Sequence, residues 1–153
     1  METVSEAQKR AIRYLIGRAR ASRDDPAYLS RDDYWQLERA WEGLTTRWEG
    51  TPEEQNSLII NMALAARHYQ NRNGKLQDEI RWSERGLSAA QAVGNHQAIM
   101  AFYNNLGTSY HDLGDLVTAL QCYVQSLPAD PDSVEDSDEW ARISVTLGNI
   151  GTV

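Results

Sequence analysis

Cysteine, proline and phenylalanine are scarce in this chain, with one, four and one copies among 153 residues. The lone Cys122 excludes an intramolecular disulfide, and its place within a helical pattern predicts a small buried hydrophobe. Few prolines and almost no β-branched runs leave Leu, Ala, Glu, Arg and Gln in the majority, and these favour helix over strand. The expected class is all-α. No run of large aliphatic residues exceeds Leu58-Ile59-Ile60, far short of a membrane span. Residues 1–20 carry Lys9, Arg10, Arg13, Arg18 and Arg20 and lack the apolar core of a secretion signal. A reducing, cytoplasmic location is expected from these absences. An excess of basic charge is also missing: the net charge is −7, which disfavours unspecific attraction to nucleic acid or anionic lipid. Neither nucleic acid nor membrane is expected as a partner.

The usual signatures of chemistry are absent too. Gly74-Lys75 lacks the earlier glycine and the preceding strand of a phosphate loop, Tyr69 standing where that glycine belongs. The acidic stretch from Asp130 to Ala141 has Glu135 in place of the central glycine of a calcium loop, and it ends on Ala141 where a bidentate glutamate is required. His68, His96 and His111 fall on separate predicted helices without companion ligands at metal spacing. His111 and Asp112 are sequence neighbours, about 100° apart on a helix, and so are not expected to orient each other. No catalytic residue, cofactor or metal is expected, and the chain reads as a non-enzyme.

What is present is a succession of amphipathic helices with clear punctuation. Thr3-x-x-Glu6 is a capping-box pattern, opening a helix over 4–22 whose apolar arc is Val4, Ala7, Ala11, Ile12, Leu15 and Ala19. Lys9, Arg13, Arg20 and Arg23 gather on its other side as a basic outer face able to meet an anionic partner. Asp24-Asp25-Pro26 breaks that helix, and Ser30, followed by Asp32 and Asp33, caps the next. Tyr34, Leu37, Trp41, Leu44 and Trp48 then form a buried stripe by spacing, with Trp35 off it. Gly50-Thr51-Pro52-Glu53-Glu54 combines a helix stop, a cap, a proline at the first helical position and a closing glutamate. Helices over 53–71 and 76–92 follow, the second presenting Ile80, Trp82, Leu87 and Ala90, with Arg72-Asn73-Gly74 as the turn and Gly94-Asn95 as the end.

From Tyr103 to Pro131 the spacing becomes more specific: Tyr103-x2-Leu106-Gly107-x2-Tyr110, Ala119-x3-Tyr123, then Pro131. Small residues at such positions let two antiparallel helices approach while aromatics fill the gaps between them. Helices are expected near 97–112 and 115–127, joined at Gly114-Asp115 and stopped by Pro128. A polar segment over 129–138 precedes a last helix opened by Trp140. Ala65, Leu106 and Leu147 stand 41 residues apart each time, so the pattern divides the chain into an N-terminal hairpin at 1–50, a repeat at 53–94, a second at 97–131 and the first helix of a third at 139–153. That last helix lacks a partner for Trp140, Ile143, Leu147 and Ile150, and a terminal repeat is normally polar outside. The chain is therefore expected to continue past Val153, or to self-associate through this helix.

The stretch from Met100 to Pro131 resembles the tetratricopeptide repeat family, and more loosely so does 53–153. The 41-residue period with Asn104-Asn105-Leu106-Gly107 is similar to the longer-repeat subgroup of kinesin light chains and bacterial peptide-sensing regulators. The front of the chain, from Arg31-Asp32-Asp33-Tyr34 through Trp41-Glu42-Gly43-Leu44 to Glu79-x-Arg81-Trp82-x-Glu84-Arg85-Gly86-Leu87, resembles the helical array behind the nucleotide-binding core of bacterial signal-transducing ATPases of the STAND or NB-ARC type. These resemblances imply a right-handed α-solenoid of about seven helices in antiparallel hairpins, whose first helices line a concave groove. They imply a peptide-binding surface formed by Arg67, Gln70 and Asn71, by Asn104, Asn105, Thr108 and His111, and by Arg142 and Asn149. Amides would bond the backbone of an extended peptide or protein segment, and the two arginines would favour a carboxylate. The function implied is an interaction scaffold within a larger bacterial regulatory protein. Alternatives are an autoinhibitory sensor packing on an ATPase or effector domain of the same longer chain, and an oligomerisation module.

Overall fold

The computed structural model describes residues 4–153, and among them every regular element is helical. Seven α-helices follow one another: α1 (Val4–Ala21), α2 (Arg31–Thr46), α3 (Pro52–Arg72), α4 (Leu76–Val93), α5 (His96–Asp112), α6 (Leu116–Gln125) and α7 (Ser137–Gly151), with 3-10 turns at Pro26–Tyr28 and Pro131–Ser133. No helix among the described residues is long and apolar enough to cross a membrane. The chain divides at Val93 and Gly94 into a first unit holding α1 to α4 and a second holding α5 to α7.

In the first unit α3 is central, packing on α1, α2 and α4. Its buried residues, among them Leu58, Ile59, Ile60, Met62, Ala65 and Tyr69, cover a broad arc rather than one narrow stripe, leaving Ser57 and Asn71 exposed, as a helix covered on several sides requires. Thr51 and Glu54 close the expected capping box, with Pro52 at the first turn. Ser30 and Asp33 form another at the start of α2. The Thr3 cap lies outside the described residues. The helix α3 ends in a Schellman arrangement in which the Lys75 amide donates to the Gln70 carbonyl at 2.8 Å and the Gly74 amide to Asn71 at 3.3 Å. Gly74 sits at φ +66° there, a conformation that a side chain disfavours.

Several expectations shift at this level. The buried arc of α1 is Ile12, Leu15, Ile16 and Ala19, while Ala7 and Ala11 face solvent; the large aliphatic side chains, with most area to bury, set the rotation. Lys9 is not on the outer face. It is only 7% exposed because Glu54 of α3 and Glu6 hold its ammonium at 2.9 and 3.0 Å. Trp48 lies beyond the end of α2 at Thr46, half-buried, its indole N–H donating to the Thr51 carbonyl at 3.0 Å. The helix thus stops before Gly50, and the Trp48 ring lies against that glycine.

The second unit is built on the α5–α6 hairpin. Phe102, Leu106, Gly107, Ala119 and Tyr123 are buried in it. A β-carbon on Gly107 would lie 2.5 Å from the Tyr123 ring, so the glycine is what lets these helices meet. Gly114, at φ +81°, and Asp115 repeat the turn of Gly74 and Lys75, the Asp115 amide donating to the Tyr110 carbonyl at 3.0 Å. The helix α6 stops at Gln125, short of Pro128, where the Ser126 hydroxyl donates to the Tyr123 carbonyl at 2.7 Å. Cys122 in α6 is half-buried rather than buried. The last helix opens at Ser137, ahead of Trp140, under the Asp136 cap. It buries Ile143 and Thr146 and leaves Trp140, Val145 and Leu147 exposed. Leu147 is 55% exposed, whereas its counterparts Ala65 and Leu106 are buried by α4 and α6.

Candidate groove between α5 and α7

The polar residues expected at a binding face separate into two sets. In the first unit Gln70 is only 1% exposed, and its amide donates to the Tyr34 hydroxyl at 3.1 Å. That hydroxyl lies 3.3 Å from Asp78, and burial pushes its pKa upward. Arg67 holds its guanidinium Nε 3.1 Å from a Glu79 carboxylate oxygen whose side chain is 2% exposed. Both residues are turned into the packing of α3 against α2 and α4, which corrects their placement on an open groove. Their partners come from other helices, beyond the reach of a periodicity argument. Asn71 is exposed at the end of α3.

In the second unit Asn104 and Asn105 of α5 and Arg142 of α7 line one groove of about 310 Å³, with Met100, Ile143 and Val145 as its apolar part. The volume suits a side chain or a short stretch of peptide. Asn104 is held in place: its carbonyl oxygen accepts from Thr146 Oγ1 at 3.2 Å and from Asn149 Nδ2 at 3.3 Å. This fixes the amide and leaves its N–H donors without a partner among the described residues. Asn149 thus contacts Asn104 and does not itself line the groove. Arg142 is exposed, with no carboxylate within ion-pair distance among the described residues. It is also the only cation of this unit, beside eight Asp and Glu residues.

Thr108 and His111 do not join the groove. The Thr108 hydroxyl donates to the Asn104 backbone carbonyl at 3.1 Å and accepts from the Tyr123 hydroxyl at 3.4 Å, so it faces α6. His111 Nδ1 stands 3.8 Å from Asp112 Oδ1, too far for a hydrogen bond.

Sequence reasoning missed an aromatic stack in the first unit. Tyr34 and Tyr69 stack at 4.5 Å, Trp41 and Trp82 at 4.2 Å, and Tyr34 and Trp82 lie 6.1 Å apart. The signal was available: Trp41, Trp82 and Tyr123 are themselves spaced by 41 residues. The Trp82 indole N–H is buried without a hydrogen-bond partner among the described residues, while Trp35 stays 57% exposed with the Arg39 guanidinium over its ring. No protein family model, curated protein or solved structure matches the chain. Fold and site together define an all-helical protein with a mixed polar and apolar groove between two helices of its second unit.

Proposed function

We propose that the chain is a non-catalytic scaffold of the tetratricopeptide type, built as a right-handed solenoid of helix hairpins, that holds an extended peptide or protein segment in the α5–α7 groove. The observation that carries this is Asn104, whose oxygen is engaged by α7 while its N–H donors have no partner among the described residues, in a groove shared with Arg142, Met100 and Ile143. Amide donors suit backbone carbonyls, the guanidinium suits a carboxylate, and the apolar part suits one aliphatic side chain.

Repetition supports the scaffold. In the first unit α1 meets α3 through pairs 41 residues apart, Arg20 with Asn61, and 45 apart, Lys9 with Glu54. In the second, α5 meets α7 through pairs 42 and 45 apart, Asn104 with Thr146 and with Asn149. The same near-constant offset between alternate helices is what stacked hairpins produce. Selection of random peptides displayed against the full chain tests the reading. Enriched sequences should carry a carboxylate and bind about tenfold more weakly to Arg142→Ala and to Asn104→Ala, the scale of one charge-assisted hydrogen bond. Enrichment of nothing, or binding indifferent to both substitutions, overturns it.

A further inference from the structure

The charge of the chain is unevenly shared. Residues up to Val93 carry fourteen Lys and Arg against fourteen Asp and Glu, so the whole net charge of −7 resides in the second unit. Its acids concentrate between α6 and the first turn of α7, where Asp130, Asp132, Glu135, Asp136, Asp138 and Glu139 have no cation within ion-pair distance among the described residues. Asp130 and Asp136 spend one oxygen each on the backbone amides of Asp132 and Asp138. Asp132, Glu135 and Asp138 face solvent, and Glu139 is half-buried.

The opposite charge lies on α1. Arg18 is committed to Asp33 and Lys9 to Glu54 and Glu6. Arg13 and Arg20 lie along one exposed strip of the helix. Arg13 and Arg20 line a groove of about 610 Å³ between α1 and α3, with Ser57 and Asn61 on its far wall. Arg20 binds the Asn61 amide oxygen at 2.5 Å, while Arg13 has no carboxylate partner among the described residues. Glu53 and Glu54 stand at one end of this groove, Glu54 already neutralised by Lys9.

We propose that the α1–α3 groove receives the acidic 130–139 segment of a second copy of this chain, so that copies associate head to tail. The unpaired carboxylates of the segment complement Arg13 and Arg20 of the groove, where Lys9 already offsets Glu54. Such a contact uses two different surfaces, one from each unit of the chain, so a variant that lacks one surface can still supply the other.

Sedimentation velocity of the full chain over a range of concentrations provides the test. At about 50 mM salt the mean mass should rise with concentration, and the association should weaken by about tenfold or more at ~300 mM salt, as contacts between exposed charges do. Arg13→Glu with Arg20→Glu should be monomeric throughout, and so should Asp132→Arg with Asp136→Arg, each with unchanged helical circular dichroism. Mixing the two variants should restore a complex, because one supplies a native segment and the other a native groove. A wild-type chain that stays monomeric at low salt overturns the proposal without any variant. So does association indifferent to salt, or a mixture that fails to pair. Binding of a free acidic peptide to the groove by a chain that remains monomeric also counts against it.

Discussion

Trp41 and Trp82, one 41-residue period apart in the sequence, lie ring on ring with centroids 4.2 Å apart and planes within 7° of parallel. The stack joins α2 to α4 across the edge of α3 and buries both indoles. Replacing Trp82 with Ala should cost about 3 to 5 kcal/mol in urea unfolding, the range for emptying an aromatic site in a core. Trp35→Ala, at an exposed position on the same helix as Trp41, should change stability by only about 0.5 kcal/mol. Equal effects from the two would remove the stack from its structural role.

Gly107 faces the Tyr123 ring with no room for a β-carbon. Gly107→Leu should destabilise by about 1 to 3 kcal/mol through overpacking. Adding Tyr123→Leu should recover part of that loss, since two residues in contact are not additive. Thermal denaturation of the four variants of this cycle reads the coupling directly. An unchanged melting temperature in Gly107→Leu contradicts the close approach of α5 and α6.

Arg67 and Glu79 form an ion pair largely withdrawn from water. Arg67→Met leaves the Glu79 carboxylate buried opposite a thioether, and a loss of about 3 to 5 kcal/mol is expected. Pairing it with Glu79→Leu removes the stranded charge, and the double variant should be more stable than the single one. Chemical denaturation decides the order, and a double variant weaker than Arg67→Met alone refutes this account.

Glu54 is held below its ordinary 4.5 by Lys9 first and by the Thr51 amide next, and Asp33 below 3.8 chiefly by the Ser30 amide and hydroxyl, with Arg18 adding to them. Groups with depressed folded values stabilise above their unfolded values and cease to do so as pH falls through the folded ones. Stability should therefore be level from neutral pH to about 5 and decline below about 4.5. Lys9 is raised above 10.5 by Glu54 and Glu6, so its contribution stands below that value and disappears as pH climbs through the raised one. Glu54→Gln should flatten the upper part of the acid decline. A decline identical to that of the wild type would show that the Lys9–Glu54 contact contributes nothing.

The elements were legible because their signals are local. Thr51 with Glu54 and Gly74 each mark a boundary within a few residues, and both stand where their neighbours predict. Lys9 and Gln70 were misplaced because what buries them is remote: Glu54 is 45 residues from Lys9, and Tyr34 is 36 from Gln70. A helical wheel assigns a lysine to water and has no term for a carboxylate arriving from another helix. Of the groove, Asn104, Asn105 and Arg142 were named by the family resemblance, and the structure places the three along one surface. The bond from Thr146 that fixes Asn104 was not legible, since it depends on the rotation of α7.

The packing of α3 on three other helices carries a consequence for motion. A helix covered from three directions cannot fray sideways or slip out alone, so any opening that bares its middle must dismantle the unit around it. The amides of Ile59 to Ala66 should be the last of the first 93 residues to exchange their hydrogens, and they should do so at one common rate.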